Sequence, residues 1–452
     1  MTMLTIHATH KRVLIMVLVA GCAFWIVPGW KEIGFLYFLL WLVTFMALFG
    51  SQVFWIGQVI QIAQMFIGRW RIRRLWLWIL AAVVYVYFFL AYNSAPLKMI
   101  FTGHETNVSD PRFFRKLIDG IFSVWLVGSF LGFILVMFFW IVDRSVRVTR
   151  WLIREVRQER HRAGDHESDS LVPHARTRRR LLRQIAIAAS AAPFVAAVYG
   201  LLYERLAVEV THHRIALARL PKAFEGFRIA QLSDIHISSF MPADEIRRCV
   251  EMTNQLKADL VVLTGDYVSW DPSAQQQVVR VLAELRAPYG VFGCLGNHEI
   301  ITQTEVSITE LFAAQNIRIL RQEHVPIRSK GESINLIGID DSHEGLDRIE
   351  RLMIPDTVNI LLIHDTYYDT FGHAARVGID LTLVGHTHGG QLSLGFLHPA
   401  LNLARLETRY TRGWYERSGS QLYVNRGIGT TIIPIRVGAR PEITVLELVR
   451  GA

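Results

Sequence analysis

Residues 383–391 read LVGHTHGGQ, so two histidines stand two positions apart in a glycine-rich turn after an apolar run. Histidine is the commonest metal ligand in proteins. Glycine lets a backbone approach a ligand closely and adopt conformations that other residues avoid. His386 and His388 therefore indicate a metal site, and a turn with two solvated histidines is the alternative. The rest of the chain must decide between them.

Short β-rich runs alternate with helical stretches after about residue 209, which is typical of a layered α/β domain. The runs are FRIAQLSD, DLVVLTGD, GVFGCLGN, SINLIGID, NILLIHD and DLTLVGH, and the helical stretches cover 243–256, 275–285 and 305–314. Polar residues follow five of these runs, and the carboxyl ends of consecutive strands converge on one edge of such a sheet. The side chains that we expect to meet there are Asp234, His236, Asp266, Asn297, His298, His364, His386 and His388.

This set offers carboxylate and amide oxygens and imidazole nitrogens, with no cysteine at any of the strand ends. Such ligands suit divalent manganese, iron or zinc. Two ions about 3.5–4 Å apart need around seven protein ligands, including a bridging carboxylate. Without His298, the set supplies that number. The sequence therefore predicts a site for two divalent metal ions.

The order SDIH, TGD, GNHE, HD and GHTHGGQ resembles the motif series of the calcineurin-like metallophosphoesterase superfamily, over about residues 227–449. The tail VNRGIGTTIIPIRVGARPEITVLEL is similar to a membrane-anchored bacterial branch that includes exported phosphoesterases and UDP-diacylglucosamine hydrolases. The resemblance implies an α/β metallophosphoesterase domain with two β-sheets sandwiched between helices. It also implies hydrolysis by metal-activated water, without a covalent enzyme intermediate.

The resemblance further implies a role for each motif residue. The first ion would be held by Asp234, His236, Asp266 and His388. The second would be held by Asp266, Asn297, His364 and His386, so that Asp266 bridges the two. His298 would donate a proton to the leaving oxygen or stabilise charge on the phosphoryl group. Manganese is the expected metal, with zinc, iron and magnesium as alternatives.

One stretch departs from the family pattern. Many members follow the Gly-Asp motif with an Asp and an Arg that support the catalytic histidine, whereas this chain has Ser269 and Trp270 there. Asp271 is nearby but out of register, so the partner of His298 stays open. Phosphate contacts from Arg426 or Arg436 are one interpretation, and structural roles in their loops are another. We expect the two histidines outside the motifs to lie on the surface: His343 and His373.

Apolar residues are concentrated before about residue 203, and hydrophobic residues make up 51% of the 452-residue chain. A membrane helix needs about 20 mostly apolar residues. We interpret the second of five apolar runs as one span continued by an interfacial helix, and buried helices of a soluble protein are the alternative for all five. The runs cover 13–28, 35–67, 75–92, 121–142 and 185–202.

Lysine and arginine collect beside these runs, at THKR before the first, at 68–74 and throughout 143–183. Because basic residues favour the cytoplasmic side, we expect the amino terminus inside and everything after residue 202 outside. The basic linker accounts for most of the net charge of +9, and its expected contacts are anionic lipid head groups, with nucleic acid as the alternative. Residues 177–200 also resemble a twin-arginine export signal, which would deliver the domain to the same side.

The chain contains three cysteines, which excludes a disulfide framework. Cys249 and Cys294 could pair in an oxidising compartment. Buried free thiols are the favoured interpretation, because free cysteine often packs as a small hydrophobic residue.

The sequence thus predicts a multi-pass protein of the inner (plasma) membrane with an extracytoplasmic phosphoesterase domain. Its substrate would be phosphorylated or phospholipid-like, in a lipid-linked or cell-envelope compound, and no nucleic-acid partner is expected. The alternatives are a metal- or phosphate-binding receptor or scaffold without turnover, and a nuclease or cyclic-nucleotide phosphodiesterase. The predicted segments are an α-helical four-span region at 1–142, a basic cytoplasmic linker at 143–183, a fifth span or signal anchor at 184–203, and the catalytic domain at 209–452.

Overall fold

The computed structural model divides the chain into two compact units. One is Met1–Tyr87 with Val124–Ala196, and the other is Phe88–Ser123 with Ala197–Ala452. Every described strand lies in the second unit. The residues that the structure describes are 47–48, 50–60, 78–86, 113–161, 189–340, 348–366, 369–395, 398 and 401–451.

Four helices cover the described part of the amino-terminal half. They are α1 (50–60), α2 (78–86), α3 (Phe113–His161) and α4 (189–202). Within the described ranges, one stretch is long and apolar enough to cross a membrane, namely the 35 residues Asp119–Ile153 of α3. This stretch contains the fourth predicted run, and α3 continues as a helix into the predicted linker.

The other predicted spans remain predictions. α1, α2 and α4 lie within the second, third and fifth apolar runs, and each is described over fewer than about 18 residues. The first run, at 13–28, lies outside the described residues. The predicted multi-span region is therefore represented by a single qualifying helix.

A buried polar cluster joins α1 to α3 in the first unit. Gln52 Nε2 donates a hydrogen bond to Ser129 Oγ at 2.8 Å, and Gln52 Oε1 accepts one from Trp125 Nε1 at 2.7 Å. Gln52 is 2% exposed. Polar side chains in an apolar helix pair need such partners, because an unsatisfied amide in an apolar surrounding is costly. This contact explains a glutamine within the second apolar run.

Two six-stranded mixed sheets form the centre of the second unit. The strands are β1 (Glu209–Leu217), β2 (Arg228–Leu232), β3 (Leu260–Thr264), β4 (Val291–Cys294), β5 (Ile317–Ile319), β6 (Glu323–Ser329), β7 (Glu332–Gly338), β8 (Asn359–Leu362), β9 (Leu381–Val384), β10 (Gly413–Arg417), β11 (Ser420–Val424) and β12 (Glu442–Arg450). The first sheet has the order β1-β12-β2-β3-β4-β5, and its strands β2 to β5 are parallel. The second sheet has the order β10-β11-β9-β8-β7-β6, and its strands β11, β9, β8 and β7 are parallel.

Helices cover the outer faces of both sheets, so the predicted α/β fold with two sheets between helices is confirmed. The helices are α5 (Ala243–Gln255), α6 (Gln275–Leu282), α7 (Asn297–Ile301), α8 (Glu305–Ala313), α9 (Ile349–Leu352) and α10 (Thr370–Val377). All six predicted runs form strands, and the three predicted helical stretches form α5, α6 and α8.

Strand β3 shows why the apolar runs fold this way. Leu260 and Val262 point into the cluster between the two sheets, and Val261 and Leu263 point toward the helices on the outer face. All four are buried, because alternate side chains of a strand leave opposite faces and both faces of this sheet are covered. A strand buried on both faces therefore reads as a continuous apolar run, and its first polar residues stand at its end.

Candidate metal centre

The predicted metal ligands follow the carboxyl ends of parallel strands. Strands β2, β3 and β4 belong to one sheet, and β8 and β9 belong to the other, so the ligands come from both sheets. Asp234 and His236 follow β2, Asp266 follows β3, Asn297 and His298 follow β4, His364 follows β8, and His386 and His388 follow β9. The structure brings all eight side chains into one connected cluster.

Several of these residues have a backbone conformation that is rare outside glycine. Positive φ angles place them in the left-handed region, where the side chain of an ordinary residue is crowded. Such residues cluster at functional sites, where the surrounding structure holds the strain. They are Asp234 (φ 50°), His236 (47°), Asp266 (57°), His386 (68°) and His388 (49°).

Asp234, His236 and His388 form one group that could hold a metal ion, with ligand atoms within 4.8 Å of one another. His388 Nε2 lies 3.4 Å from Asp234 Oδ1, and the Nε2 atoms of His236 and His388 are 3.1 Å apart. All three side chains are buried. His236 Nδ1 has no hydrogen-bond partner among the described residues.

Asp266, His364 and His386 form a second such group. His386 Nδ1 lies 3.1 Å from His364 Nε2 and 3.0 Å from Asn297 Oδ1. Nitrogen atoms of His386 and His364 and the amide oxygen of Asn297 thus lie close together. The amide oxygen of Asn297 therefore lies beside this second group of ligands.

Asp266 connects the two groups. Its Oδ2 atom lies 3.3 Å from His236 Nε2 and 3.2 Å from His364 Nε2. Its Oδ1 atom accepts a hydrogen bond from the backbone N–H of His298 at 3.0 Å. The position of this carboxylate between two sets of imidazoles is the one that a bridging ligand requires.

Burial controls the charge of the histidines. Burial, with the positive charge of His364, lowers the pKa of His386 to about 3. Burial and the charges of His236 and Arg436 hold the pKa of His388 well below its ordinary range. Both are therefore neutral at physiological pH, which is the form that binds metals.

The carboxylates complete a donor set that fits a divalent cation. Burial acts to raise the pKa of Asp266, but His364 and His236 hold it well below its ordinary value, so this group stays an anion. Burial acts to lower the pKa of His364, and Asp266 raises it to about 10. Two carboxylates and converging nitrogens in a buried site form a donor set that suits a divalent cation.

Backbone carbonyls orient two of the histidines. His364 Nδ1 donates to the carbonyl oxygen of Thr264 at 2.7 Å, which directs Nε2 toward Asp266. His298 Nδ1 donates to the carbonyl oxygen of Ser269. Because a carbonyl oxygen only accepts, each contact determines which ring nitrogen carries the proton.

The unusual stretch after Asp266 is thereby explained. The partner of His298 is the backbone of Ser269, and the indole of Trp270 packs edge-on against the imidazole with ring centroids 4.7 Å apart. Asp271 begins a short 3-10 helix, where its Oδ1 accepts from the backbone N–H of Ser273 at 2.9 Å. A backbone carbonyl and a ring thus occupy the place where many family members have an Asp and an Arg.

Both candidate phosphate-binding arginines have structural contacts. The guanidinium of Arg436 is fully buried and donates to the carbonyl oxygens of Gly427 and Ala439 at 3.2 and 2.9 Å. Arg426 Nε lies 3.0 Å from Glu442 Oε2, and its Nη2 lies 2.9 Å from Glu209 Oε2. The structural interpretation of both residues is therefore the one that the contacts favour.

Three further predictions concern residues outside the motifs. Cys249 and Cys294 are both buried and free, as expected. His343 lies outside the described residues, and His373 on α10 is half-buried. The surface position predicted for both histidines therefore stays a prediction.

Sequence reasoning did not assign a role to Glu299, the last residue of the GNHE motif. It is fully buried and accepts hydrogen bonds from the backbone N–H groups of Gly296 and Asp266. Its position directly after two predicted site residues was the available signal. A buried carboxylate with no lysine or arginine nearby in sequence had to be binding backbone groups or a metal.

Comparison with known proteins agrees with this geometry. Residues 227–390 match the profile of the family described as "Calcineurin-like phosphoesterase". A Bacillus subtilis (strain 168) protein, "Uncharacterized metallophosphoesterase YkuE", is 32% identical over 260 residues, covering 55% of this chain and 88% of that protein. The chain belongs to the calcineurin-like metallophosphoesterase family. This metallophosphoesterase is a metal-dependent phosphoester hydrolase.

Two further relatives differ in the share of their own length that this metallophosphoesterase matches. "Phosphodiesterase YaeI" of Escherichia coli (strain K12) is 31% identical over 247 residues, covering 53% of this chain and 88% of that protein. "Transmembrane protein with metallophosphoesterase domain" of Danio rerio is 32% identical over 270 residues, covering 56% of this chain and 60% of that protein. The family resemblance seen in the motifs is therefore confirmed.

Proposed function

We propose that this chain is a membrane-anchored phosphoesterase whose centre binds two divalent metal ions. It hydrolyses a phosphoester or pyrophosphate bond in a lipid-linked or cell-envelope substrate. The observation that carries the proposal is the position of Asp266, whose Oδ2 lies 3.3 Å from His236 Nε2 and 3.2 Å from His364 Nε2.

Seven side chains would hold the ions. Divalent ions bound there supply an activated water at neutral pH and neutralise charge on the phosphoryl oxygens. Manganese is the proposed metal, with zinc, iron and magnesium as alternatives. The first ion would contact Asp234, His236, Asp266 and His388, and the second would contact Asp266, Asn297, His364 and His386.

His298 would act on the substrate. A ligand atom of this residue lies within 4.8 Å of those of His236 and Asp266. Because Nδ1 donates to Ser269, Nε2 is the nitrogen that would act, and it must first take up a proton before it can donate one to a leaving oxygen or a phosphoryl group. The contact with Ser269 holds the imidazole in place while it does so.

The described cysteines support a mechanism without a thiolate nucleophile. Burial raises the pKa of Cys249 to about 12. Burial also raises the pKa of Cys294 well above its ordinary range. Both thiols therefore stay protonated and inert at physiological pH.

Membrane attachment rests on three observations. Asp119–Ile153 is long and apolar enough to span a bilayer, and the Danio rerio relative is named as a transmembrane protein. The distribution of lysine and arginine favours a catalytic domain outside the cytoplasm, in a multi-pass protein of the inner membrane. A substrate in the membrane or the envelope follows from that location.

The test uses the full chain purified in detergent, stripped of metal and reloaded with Mn, Zn, Fe or Mg. We expect metal-dependent hydrolysis of bis(p-nitrophenyl) phosphate or p-nitrophenyl phosphate, and the ratio of the two rates distinguishes a diesterase from a monoesterase. Asp266→Asn should reduce turnover at least about a hundredfold. Asp244→Asn, an 88% exposed carboxylate on α5, is the matched control and should retain it.

Two results would contradict the proposal. Turnover that persists after the metal is removed would exclude a metal-dependent centre. Binding of metal with no hydrolysis of either compound, or of a vesicle-embedded phosphoester, would favour a receptor or scaffold. Elemental analysis of the reloaded protein, which counts the bound ions, decides between one and two metals.

A further inference from the structure

The second unit exposes large apolar side chains at the end of α4, in the segment after β9 and in the connection between β11 and β12. We call six of them the apolar rim, and they are Leu202, Leu394, Leu401, Leu403, Leu406 and Ile432. Leu406 is 78% exposed, Ile432 73% and Leu202 67%. Single exposed leucines are ordinary on a protein surface, but a contiguous exposed apolar patch marks an interaction site.

Hydrogen bonds join the segments that carry the rim. Leu394 donates its backbone N–H to the carbonyl oxygen of Leu401 at 2.7 Å, so these two residues are directly paired. The neighbouring Ser393 donates to the carbonyl oxygen of Val437 at 2.7 Å. The loop at 391–406 therefore packs beside the segment that follows Ile432.

The segment that follows Ile432 contacts the last turn of α4. The backbone N–H of Arg436 points to the carbonyl oxygen of Gly200 at 3.4 Å, and a Cβ on Gly200 would lie 2.8 Å from Ile435 Cγ2. Gln391 Nε2 donates to the carbonyl oxygen of Ile433 at 2.8 Å. The last turn of α4, with the exposed Leu202, is thus continuous with both loops of the rim.

The rim borders the metal centre. Asn402, between Leu401 and Leu403, donates its side-chain N–H to the carbonyl oxygen of Gly389 at 3.1 Å. Gly389 directly follows His388, a proposed metal ligand. The segment that carries Leu401 and Leu403 is therefore hydrogen-bonded to the turn that carries a proposed metal ligand.

Ile432 lies at the tip of a tight turn that the chain itself holds. The backbone N–H of Ile433 donates to the carbonyl oxygen of Thr431 at 2.6 Å, and the side chain of Gln391 bonds to both residues. The φ angle of Ile432 is 60°, and its side chain is 73% exposed, so this apolar residue contributes little to the core.

We propose that the apolar rim rests in the head-group region of the bilayer and presents the metal centre to phosphoesters at that surface. This inference rests on the membrane attachment of the proposed function. The last residues before the rim are those of the predicted fifth span, with Tyr199 and Tyr203 exposed as in an interfacial aromatic belt. Arg405 and Arg440 are exposed among or beside the rim residues and fit anionic head groups.

The bilayer is the occupant because the rim continues an apolar helix end that leads to it. The rim residues lie at the end of α4, in a 3-10 helix at Leu403–Leu406, and in the segments beside it. Protruding apolar side chains with basic neighbours are the pattern by which a surface enters the interface of a membrane.

The test measures the depth of single labelled positions in the full chain. The chain carries Cys22→Ser, so that the buried Cys249 and Cys294 are the native thiols that remain, and it is reconstituted into phosphatidylcholine–phosphatidylglycerol vesicles with spin-labelled lipid. A fluorescent thiol label is placed at Leu403→Cys or Leu406→Cys. The matched control is Arg328→Cys, an exposed position on β6 at the opposite end of the second sheet.

We expect quenching at positions 403 and 406 to exceed that at 328 by about threefold or more, because an interfacial surface enters by about 5–10 Å. Equal quenching at the three positions would overturn the proposal. The readout needs no substrate, so a chain that is quenched without turning over a phosphoester fails the proposed function alone. A chain that turns over soluble diester without quenching fails this inference alone.

Discussion

The carboxylate of Glu299 accepts a hydrogen bond from the backbone N–H of Asp266, with Oε2 3.0 Å from the nitrogen. Its other oxygen accepts from the N–H groups of Tyr267 and Val268 at 2.8 and 3.1 Å. Oε2 also accepts from the N–H of Gly296 at 2.9 Å. One buried side chain thus ties the loop after β3 to the loop after β4 and holds the proposed bridging ligand in its strained conformation.

Replacing Glu299 with glutamine should loosen both loops. The amide has one accepting oxygen instead of two, so buried N–H groups lose their partner at a cost of about 1–3 kcal/mol. We expect the midpoint of thermal unfolding to fall and metal affinity to fall by about 10–100-fold. Glu251→Gln, at an exposed position on α5, should change neither. Unchanged metal affinity in Glu299→Gln would show that Asp266 keeps its place without this contact.

Replacing His298 with asparagine should separate catalysis from metal binding. We expect kcat to fall by about 10²–10⁴, because a positioned acid or base contributes that much. The number of bound ions should not change, since His298 is not among the proposed ligands. Steady-state kinetics and elemental analysis of the same preparation give both values. Loss of an ion in this variant would make His298 a ligand instead.

Replacing Arg436 with methionine should destabilise the catalytic domain. The guanidinium donates to the carbonyl oxygens of Gly427 and Ala439, and its Nη2 lies 3.3 Å from His388 Nδ1. Methionine fills part of the volume but leaves the buried carbonyls unsatisfied, which should lower the free energy of unfolding by about 3 kcal/mol or more. Denaturant titration measures this loss. Arg440→Met, at an exposed neighbouring position, should stay within about 0.5 kcal/mol of the original chain.

Stability at acidic pH should depend on Glu442. Burial acts to raise the pKa of this carboxyl, but the hydrogen bond and charge of Arg426 lower it below its ordinary value of 4.5. A carboxyl with a lowered pKa in the folded state stabilises the fold above its unfolded pKa, and the contribution is lost as pH falls through the folded pKa. We expect the free energy of unfolding to fall as the pH drops below the ordinary value of 4.5 and through the lower folded pKa.

The variant Glu442→Gln tests this assignment by denaturant titration at several pH values. It should be less stable than the original chain at neutral pH and should lose less stability on acidification. Glu416→Gln, at an exposed position on β10, should keep the original pH dependence. An unchanged slope in Glu442→Gln would assign the acid sensitivity to other carboxyls.

The strands that position the site were predictable because they are buried on both faces. Each of β2, β3, β4, β8 and β9 reads as a largely apolar, largely buried run followed by a polar residue. By contrast, β1 and β10 mix exposed with buried residues, and β12 was seen as a family tail, not as a strand. β11 is fully buried, but it begins with the polar residues Ser420 and Gln421. Local patterns therefore identify strands that are apolar and buried, and they miss strands that are partly exposed or that bury polar residues.

In the membrane region, the sequence predicts more than the described residues contain. Composition and the distribution of arginine predict five spans and their direction, whereas the described residues contain one qualifying helix, Asp119–Ile153. Gln52 illustrates what the apolar runs could not predict. Its partners Ser129 and Trp125 lie more than 70 positions away, so only the packing of α1 against α3 pairs them.

The sequence by itself determined which side chains could bind metal, because the residue types at the strand ends and their order are written in the chain. The tertiary structure decided which atoms meet, including the contacts of Asp266 with His236 and His364 and the selection of the Ser269 carbonyl as the partner of His298. It also turned Arg436 inward, against carbonyl groups of Arg426, Gly429 and Ala439 in the connection between β11 and β12. The physical reason is that backbone carbonyls carry no residue signature, and contacts between distant segments exist only after both sheets have packed.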